Sequence, residues 1–393
     1  MFKSFACKEK QMKVVIAIDS FKGCMSSQEL SVCIEAGIKV VYPDAVIDAC
    51  EVADGGEGTL QAMVNNTNGN ILTCKVHDPL MREIEAQYGI LGDGKTAVIE
   101  MARASGLPLV PLEKRNPLVT TTFGVGELIK DAIFKGCTEF IVGIGGSATN
   151  DAGVGMLQAL GYRFLDKSGV EVGLGGGELG NIYSIDTSNA MEELKKCHFL
   201  IACDVDNPMY GTRGASQIYG RQKGATEEMV LVLDANIKHF ATVIEKCLGK
   251  DIAHIQGTGA AGALGGGFLA FLDAQLRSGI EIVLDTIHFE EKIKDANFVI
   301  TGEGKIDAQS LMGKVISGIS KLTQKHKVPL LALAGHVEDD AKEAHQHGVD
   351  AIFSIMNYPI SLSDAMQKEN TQKLMRQSVE EIFRLIKIVQ ERR

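Results

Sequence analysis

The sequence is poor in the features that mark membrane and secreted proteins. It contains no run of about 18 apolar residues, so no segment predicts a membrane-spanning helix. The first residues, MFKSFACKEKQMK, lack the apolar core of a signal peptide. Tryptophan is absent, and proline is scarce, with 8 residues among 393. The lack of a long apolar run and of a signal peptide predicts a soluble cytoplasmic protein with no membrane partner. An excess of glycine alone, with 43 residues, argues against low-complexity disorder.

The nine cysteines and nine histidines form none of the familiar site patterns. The cysteines stand singly, without a CxxC pair, which is typical of reduced thiols in a cytosolic protein. The histidines show no metal-ligand spacing. No Gly-x-Ser-x-Gly motif is present, so hydrolysis through a serine acyl-enzyme has no support in the sequence.

The net charge and the length of the chain indicate which partners and how many domains to expect. The net charge is −10, so nucleic acid is not expected as a partner, because binding its phosphate backbone requires a basic face. An anionic ligand can still be held by local Lys, Arg and backbone N–H groups. The hydrophobic fraction of 45% and the charged fraction of 23% are ordinary for a globular protein. A length of 393 residues favours two domains.

Both ends of the chain predict strands alternating with helices. KVVIAID, which ends at Asp19, is a short β-branched run, and the helical pattern SSQELSVCIEAGIKVVY follows it, with Ser26 or Ser27 as N-cap. AVIDACEVAD and EGTLQAMVNNT repeat this strand–helix order. From Asn297 onward NFVITGEG, VPLLALAG and AIFSIM predict strands, and the segments between them predict helices. Such alternation indicates a parallel sheet of the flavodoxin or Rossmann kind.

The middle of the chain has a different pattern. KVHDPLMREIEAQYGILGDGKTAVIEMA contains short alternating segments interrupted by Asp-Pro and Gly-Asp-Gly, which predicts antiparallel hairpins. We therefore expect an α/β protein of two α/β domains. A discontinuous parallel domain, 12–71 plus 291–393, carries an inserted mixed α/β domain at 72–290. Residues 1–11 are expected to form an N-terminal extension.

Three glycine motifs suggest nucleotide-binding loops. Residues 89–96, GILGDGKT, match the Walker A spacing, but a strand pattern follows where a phosphate-binding loop requires a helix, so a hairpin turn is favoured. Residues 257–262, GTGAAG, match GxGxxG, and GIGGSA at residue 143 matches the GxGxxA variant. A strand pattern precedes the latter and Asp166 follows at a suitable distance, so a dinucleotide fold stays a competitor. Asn150 and Asp151 argue against it, because a carboxylate there would repel a pyrophosphate.

Residues 143–155, GIGGSATNDAGVG, place many glycines beside side chains that hydrogen-bond or ionise. A plain turn needs one or two glycines, whereas a backbone that approaches a phosphate closely needs more. The predicted strand EFIVGIG leads directly into this segment. The segment is therefore a candidate for holding an anionic group.

Other polar clusters follow predicted strands or lie in predicted loops. They are DSFKG with Asp19, Ser20 and Lys22; ADGGEG with Asp54 and Glu57; IACDVDNP with Asp204, Asp206 and Asn207; GRQKGA with Arg221 and Lys223; and TGEGKID with Glu303, Lys305 and Asp307. Ligands of open parallel sheets lie beyond the carboxyl ends of the strands, so DSFKG, ADGGEG and TGEGKID are expected to share a crevice. Carboxylates for magnesium, N–H groups and cations for phosphates, and a carboxylate base are the parts that phosphoryl transfer requires.

Eight segments together resemble the type 1 glycerate kinase family. In order they are IAIDSFKGCMSSQEL, VADGGEGTL, IEMARASGL, GIGGSATNDAGVGML, CDVDNPMYGTRGAS, QKGA, GTGAAGALGGGF and TGEGKIDAQSLMGK. The resemblance extends from about Met12 into the C-terminal region. It implies phosphorylation of D-glycerate by ATP, usually to 2-phosphoglycerate, in a cleft between two α/β domains. Ile18, Ala152 and Arg221 depart from the family pattern, and none of these departures removes an ionisable group.

With this resemblance, the polar clusters receive hypothetical roles. The catalytic candidates are Asp19, Lys22, Asp151 and Asp307, with Asp19 or Asp151 favoured as the base. The candidates for binding substrate or phosphate are Ser20, Gly145, Gly146, Ser147, Thr149, Asn150, Arg221, Lys223, Glu303 and Lys305. Asp54 and Asp204 are the candidates for Mg²⁺. Lys22 and Lys223 are each suited to a carboxylate or a phosphate.

Several alternatives remain open at the level of sequence. A nicotinamide-dependent dehydrogenase of a small hydroxy acid would use a similar substrate, and a non-catalytic ligand-binding protein could use the same scaffold. The hydroxyl that accepts the phosphate, the tolerance for other hydroxy acids and the oligomeric state, including a homodimer, also stay undecided.

Overall fold

The structure is a computed structural model that describes residues 11–56, 58–307 and 315–392. The predicted extension, except Gln11, and Glu57 of the ADGGEG motif lie outside these residues. The described residues divide into two compact units. The first contains the chain up to Ala53 and from Leu284 onward, and the second contains Asp54–Val283. The helical segment EGTLQAMVNNT, expected in the first domain, thus belongs to the second unit.

The strands of the described residues are numbered in chain order. They are β1 (Lys13–Ile18), β2 (Val46–Ala49), β3 (Asn70–His77), β4 (Glu83–Ile90), β5 (Thr96–Glu100), β6 (Glu139–Gly143), β7 (Arg163–Leu165), β8 (Ser184–Asp186), β9 (His198–Ala202), β10 (Gln275–Arg277), β11 (Phe298–Ile306), β12 (Leu330–Val337) and β13 (Ala351–Ser354).

The α-helices are numbered in the same way. They are α1 (Ser27–Val41), α2 (Thr59–Thr67), α3 (Ala102–Ser105), α4 (Phe123–Phe134), α5 (Val154–Ala159), α6 (Ala215–Tyr219), α7 (Glu227–Leu248), α8 (Ala260–Leu272), α9 (Gly279–Thr286), α10 (Phe289–Ile293), α11 (Val315–His326), α12 (Leu362–Ala365) and α13 (Lys368–Glu391). Short 3₁₀ helices add Leu107–Leu109, Leu112–Lys114, Glu178–Asn181, Glu192–Lys196, Arg221–Lys223 and Asp339–His347. An α-helix was expected over 338–348, and the 3₁₀ form replaces it.

The first unit has a parallel five-stranded sheet in the order β13-β12-β11-β1-β2. Its central strands are continuous apolar runs because helices cover both faces of such a sheet. The burial of Val14 through Ile18 shows this for β1. The parallel sheet predicted from the two ends of the chain is confirmed.

Helix α1 has Ser26, one of the two serines predicted as its N-cap, at its start, where Ser26 and Glu29 form a capping box. The Ser26 hydroxyl accepts a hydrogen bond from the Glu29 amide, and the Glu29 carboxylate accepts one from the Ser26 amide. Helix α1 packs closely against α13 at Gly37. A Cβ at this position would lie 2.8 Å from the carbonyl oxygen of Arg376, so the close approach depends on glycine. This pairing buries Leu374 and Phe383 in the core of the unit.

The second unit has a mixed six-stranded sheet in the order β10-β9-β6-β5-β4-β3. The strands β3, β4 and β5 pair antiparallel, as the broken alternating pattern predicted, and β5, β6, β9 and β10 pair parallel. The Walker-like residues 89–96 comprise the end of β4, the turn that follows it and the first residue of β5. The Asp93 carboxylate accepts hydrogen bonds from the amides of Lys95 and Thr96 in that turn. No helix follows, so the prediction of a hairpin turn is confirmed.

The two GxGxxG-like segments also lack the dinucleotide-binding geometry. After β6 ends at Gly143, the chain runs through a loop, and α5 begins only at Val154. A Rossmann fingerprint requires the strand to lead almost directly into the helix whose N-terminus binds the pyrophosphate. At the end of the GTGAAG segment and directly after it, Ala261, Gly262 and Ala263 have positive φ values within α8. Neither GxGxxG-like segment therefore supports a dinucleotide-dependent dehydrogenase.

Two other expectations concern the chain as a whole. Each cysteine within the described residues is a free thiol. Among the same residues, no helix combines the length and apolar character needed to cross a bilayer.

Candidate active site

The second unit contains a cavity of about 370 Å³ at the carboxyl ends of β6 and β9. These strands are parallel neighbours in the sheet, and the residues that follow each of them line the cavity. The lining comprises Asp54, Gly55, Gly56, Leu107, Ile144, Gly145, Gly146, Ser147, Ala202, Cys203, Asp204, Val205, Tyr219, Gln222, Lys223, Ala260 and Ala261. Its position agrees with the general rule for ligand sites of open α/β sheets.

The glycine-rich loop after β6 forms one wall of the cavity. Gly145 and Gly146 are exposed, although the residues on both sides of them are buried. Gly146 has a φ of +76°, which favours glycine, and its carbonyl accepts a hydrogen bond from the Leu107 amide at 2.9 Å. A Cβ at position 145 would approach only Gly56, at 4.0 Å. The loop therefore presents bare backbone to the cavity, as predicted for a phosphate-binding segment.

Lys223 reaches this loop from the short helix Arg221–Lys223. Its side chain is only 2% exposed, and Nζ donates hydrogen bonds to the Ser147 hydroxyl and to the Thr149 carbonyl, both at 2.7 Å. Burial lowers the pKa of Lys223 to about 7, and the negative charge of Asp151 partly opposes this shift. The structure thus places a buried cation directly beside the glycine loop.

Asp151 is fully buried and does not line the cavity. One carboxylate oxygen accepts hydrogen bonds from the Thr122 amide at 2.8 Å, the hydroxyls of Thr122 and Thr121 at 2.9 and 3.2 Å, and the Gly155 amide at 3.3 Å. The other accepts from the Gly153 amide at 3.3 Å. Burial raises the pKa of Asp151, and the bonds from Thr122, Gly153 and Gly155 oppose the increase. This geometry argues against Asp151 as the catalytic base, because a base must reach the substrate hydroxyl.

Thr149 and Asn150 are also completely buried, and neither lines the cavity. The Asn150 amide donates to the Ser216 hydroxyl at 3.0 Å, which connects the loop to α6. Within the described residues, the Thr149 hydroxyl and the Asn150 side-chain oxygen have no hydrogen-bond partner. Direct substrate contact was expected for both residues, whereas the structure gives them positions behind the loop.

Asp54 and Asp204, the two residues expected to bind magnesium, line the same cavity. The Asp54 carboxylate accepts from the Gly56 amide at 3.1 Å, and that of Asp204 accepts from the Gly279 amide at 3.1 Å. Desolvation raises the pKa of Asp204, and the charges of Asp54 and Glu281 raise it further. A cation between these carboxylates would relieve their repulsion. No cluster of three or more His, Cys, Asp or Glu residues suited to a metal occurs in the described part of the chain.

Arg221 has a different environment from the one expected. Its guanidinium makes a two-pronged ion pair with Glu227, with both N···O distances at 2.7 Å, and donates to the Gln217 carbonyl at 2.8 Å. The side chain is exposed and does not line the cavity. A phosphate contact from Arg221 would require this pair to break.

In the first unit, the DSFKG and TGEGKID segments lie next to each other. The Asp19 amide donates to the Gly302 carbonyl at 2.9 Å, and the Ser20 amide donates to the Asp19 carboxylate at 2.7 Å. Asp19 and Ser20 are half-buried, and Lys22 is exposed. Of the three segments expected to share a crevice, DSFKG and TGEGKID are thus adjacent in this unit, whereas the ADGGEG residues from Asp54 onward belong to the second unit.

The TGEGKID residues continue strand β11 rather than ending it. Glu303 and Lys305 lie within β11, opposite Ala334 and His336 of β12. Lys305 makes ion pairs with Glu338 at 2.9 Å and with Asp307 at 3.4 Å. A hollow of about 530 Å³ is lined there by Lys305, Asp307, Glu338, Asp339 and Asp340.

Three residues of this region were missed at the level of sequence. Thr121 and Thr122 supply three of the hydrogen bonds to Asp151, and the run VTTTFGVG could have suggested them as a polar cluster before a helix. Tyr219 lines the cavity and donates its hydroxyl to Asn207 at 2.7 Å. An isolated tyrosine in a helical pattern carries no comparable indication.

Comparison with known proteins agrees with this architecture. The model of the glycerate kinase family matches residues 14–387. The glycerate kinase of Bacillus subtilis (strain 168) is 48% identical over 377 residues, covering 96% of this chain and 98% of its own. The glycerate 2-kinase of Escherichia coli (strain K12) is 50% identical over 356 residues, covering 91% and 93%. A crystal structure from Salmonella typhimurium LT2, described as a "putative glycerate kinase 2", superposes with a TM-score of 0.89 at 43% identity and covers 97% of this chain and all of that one. The chain belongs to the glycerate kinase family.

Proposed function

We propose that this protein transfers the terminal phosphoryl group of ATP to a hydroxyl of D-glycerate. Support comes from its family, and from relatives named as glycerate kinases that match more than nine tenths of the chain. The observation that carries the proposal is the buried Lys223 ammonium beside the exposed backbone of Gly145 and Gly146. Backbone N–H groups and one cation are the means by which proteins hold phosphate oxygens.

The glycine loop and Lys223 have the roles of phosphate ligands in this proposal. The amides of Gly145, Gly146 and Ser147 contribute direct hydrogen bonds, because no side chain at the two glycines separates the backbone from the cavity. Lys223 contributes positive charge in a site of low dielectric, where it acts more strongly than in water. Together they offset the charge that spreads over the phosphoryl oxygens during transfer.

Asp54 and Asp204 fit Mg²⁺, which prefers one or two carboxylates and completes its shell with phosphate oxygens and water. They line the same cavity, and each is held by a backbone amide that leaves other carboxylate oxygens available. Bound magnesium would supply charge neutralisation between phosphate oxygens. The carboxylates of Asp54 and Asp204 would hold the ion at this end of β9.

The catalytic base and the ligand of the glycerate carboxylate are proposed among residues of the first unit. Asp19 is the proposed base that takes the proton from the glycerate hydroxyl, and Asp307 is the second candidate. Asp19 is preferred because it is half-buried and held by local backbone hydrogen bonds, whereas Asp307 is close to the Lys305 ammonium. An adjacent cation makes a carboxylate a weaker base. Lys22, which is exposed, is the proposed ligand of the glycerate carboxylate.

The favoured product is 2-phosphoglycerate. The support is the Escherichia coli relative, which is named a glycerate 2-kinase and is 50% identical to this chain. A product phosphorylated at the other hydroxyl would leave the kinase assignment intact and change only the orientation of glycerate.

A coupled assay of ADP release with D-glycerate and Mg-ATP tests the proposal. We expect ADP release that depends on glycerate in the wild-type protein and is largely lost in Lys223→Met. Binding of ADP without ADP release from ATP would instead support a non-catalytic protein. A fluorescence titration with NADH serves as the control for dehydrogenase chemistry, and we expect no saturable binding.

A further inference from the structure

The cavity of the second unit has an apolar part in addition to its phosphate-binding wall. The glycine loop and Lys223 form the polar wall. The apolar and aromatic side chains that also line the cavity include Leu107, Ile144, Val205, Tyr219, Ala260 and Ala261. Phosphate groups and magnesium bind to polar groups, so they do not account for these side chains. Pockets for small organic molecules combine such apolar surface with a few polar groups.

Leu107 and Val205 place apolar surface next to the phosphate-binding residues. The Leu107 amide donates to the Gly146 carbonyl at 2.9 Å, so Leu107 lies directly beside the glycine loop. Val205 follows Asp204, one of the proposed magnesium ligands, and is 39% exposed. Contact of apolar surface with water is unfavourable, and an apolar group of a ligand removes it. The two residues therefore indicate a ligand that has an apolar group close to its phosphates.

Tyr219 is an aromatic residue of the same cavity, and hydrogen bonds hold it in place. Its hydroxyl donates to the Asn207 side-chain oxygen at 2.7 Å, and the Asn207 amide donates in turn to the Arg213 carbonyl at 2.7 Å. Asn207 is buried, whereas Tyr219 is half-buried and lines the cavity. The ring is thus positioned before a ligand binds, which reduces the entropy cost of binding.

Tyr219 and Lys223 belong to one short segment of the chain. Tyr219 ends α6, and the helix Arg221–Lys223 follows after one residue. The Lys223 amide donates to the Gly220 carbonyl at 3.0 Å. The side chain of Asn150 donates to α6 at 3.0 Å and so connects it to the residues after the glycine loop. The aromatic ring and the phosphate-binding ammonium are therefore held near each other by local structure.

Of the two proposed substrates, only the nucleotide has an aromatic group. Each carbon of glycerate carries oxygen, so glycerate offers little apolar surface to a tyrosine ring. Adenine presents flat faces, and nucleobases stack on aromatic side chains. The apolar part of the cavity matches the nucleotide in this respect.

We propose that Tyr219, together with Leu107 and Val205, forms the subsite for the adenine base of the nucleotide, so that base and phosphates bind in one cavity of the second unit. The inference rests on the proposed function, because it takes ATP or ADP as the ligand of this cavity. It adds a contact that phosphate binding alone does not require. ADP then binds through its base and its phosphates, whereas inorganic pyrophosphate binds through the glycine loop and Lys223 only.

Isothermal titration of the full chain with ADP and with inorganic pyrophosphate, both in the presence of Mg²⁺, tests the subsite. The wild type should bind ADP at least about fivefold more tightly than pyrophosphate, and Tyr219→Ala should lose at least about fivefold in affinity for ADP, since stacking of one base contributes this much or more. The affinity of Tyr219→Ala for pyrophosphate should change less than about twofold, because the phosphate ligands remain. Tyr219→Phe keeps the ring and should retain most of the affinity for ADP. Tyr183→Ala is the matched control, because Tyr183 is an exposed tyrosine of the same unit outside the cavity.

Several results would overturn the inference. Equal losses of affinity for ADP and pyrophosphate in Tyr219→Ala would show a structural role only. Unchanged affinity for ADP in that variant, or a wild type that binds pyrophosphate as tightly as ADP, would exclude the base contact. An increase confined to the KM for glycerate would assign the apolar part to the other substrate. If Tyr219→Ala does not fold, Val205→Ser provides the same comparison at an exposed position.

The proposed function is tested separately by ADP release that depends on glycerate. An active glycerate kinase whose affinity for ADP does not depend on Tyr219 would refute only the base subsite. A protein that binds ADP through Tyr219 but does not phosphorylate glycerate would refute only the proposed function. The two failures are therefore distinguishable.

Discussion

The ammonium nitrogen of Lys223 lies 2.7 Å from the hydroxyl oxygen of Ser147, although the two residues are 76 positions apart in the sequence. This contact joins the short helix Arg221–Lys223 to the glycine loop that follows β6. The loop supplies backbone and the helix supplies charge. Neither segment alone has the composition of a complete phosphate site.

Replacing Lys223 by methionine tests the cation. We expect Lys223→Met to lower turnover with ATP and glycerate by at least about a hundredfold, because it removes the positive charge beside the phosphoryl oxygens. Steady-state measurement of ADP release gives this number. Lys130→Met, on the exposed part of α4, is the matched control and should retain wild-type turnover. Equal losses in the two variants would refute the role of Lys223.

The same substitution, Lys223→Met, should raise the free energy of unfolding although it lowers turnover. The pKa of Lys223 is about 7 in the folded protein and near 10.5 in the unfolded chain, so the unfolded state binds more protons between these values. Lys223 therefore lowers the free energy of unfolding most below pH 7, and this penalty decreases by about 1.4 kcal/mol per pH unit as the pH rises toward 10.5.

Urea unfolding of the wild type and Lys223→Met at several pH values checks this prediction. The stability advantage of the variant should be largest at pH 6 and should shrink steadily toward pH 9. A constant difference across this range would show that the lysine does not titrate with a lowered pKa in the folded protein.

Alanine substitutions at Gly145 and Gly155 distinguish an effect on ligand binding from an effect on stability. A methyl group at Gly145 meets only Gly56, at 4.0 Å, but extends into the cavity. We expect Gly145→Ala to fold normally and to raise the KM for ATP by roughly tenfold, since small displacements in such sites cost this much or more.

Gly155→Ala should show the reverse balance. Its methyl group would lie 1.9 Å from the Thr121 hydroxyl, so we expect the free energy of unfolding to fall by about 2 to 3 kcal/mol. Thermal and urea denaturation measure this loss. A destabilised Gly145→Ala together with a fully stable Gly155→Ala would contradict the positions of both glycines.

The carboxylates at the cavity predict the metal dependence. We expect Asp54→Asn and Asp204→Asn each to raise the magnesium concentration for half-maximal activity by at least about tenfold, since each removes one charged oxygen ligand. Asp206→Asn is the control, because Asp206 is exposed and pairs with Arg213 instead. A magnesium requirement unchanged in the two cavity variants would exclude them as ligands.

In the first unit, Asp19 and Lys22 carry separate predictions. Asp19→Asn removes the proposed base and should cut turnover by at least about a hundredfold with little change in the KM for ATP. Lys22→Ala should lower kcat/KM for glycerate by a comparable factor, mainly because the KM for glycerate increases. Lys39→Ala, an exposed lysine on α1 of the same unit, is the control. Near-normal kinetics in both variants would discard the two roles.

Much of the fold could be predicted because local patterns and packing agree. The apolar strand KVVIAID, the capping box at Ser26 and the broken alternation before Thr96 each specify an element without reference to distant residues. The hairpin also explains why the Walker-like spacing is misleading. A phosphate-binding loop depends on the helix that follows it, and here a strand follows.

The candidate site was only partly predictable. Gly145, Gly146 and Lys223 reach the cavity as expected, but Asp151 resembles a catalytic carboxylate in sequence and is enclosed by five donors in the structure. Sequence shows which residue can ionise. Burial and hydrogen-bond partners depend on distant segments such as Thr121, which local patterns do not specify.

Phosphorus NMR of the reaction with D-glycerate and Mg-ATP tests the central claim most directly. The account predicts that the γ-phosphate signal of ATP decreases while ADP and a phosphate monoester appear together, with the ester phosphorus coupled to the single proton of the glycerate carbon 2. A monoester coupled to two protons would place the phosphate on carbon 3. Release of inorganic phosphate alone, or no consumption of ATP by the folded protein, would contradict glycerate phosphorylation.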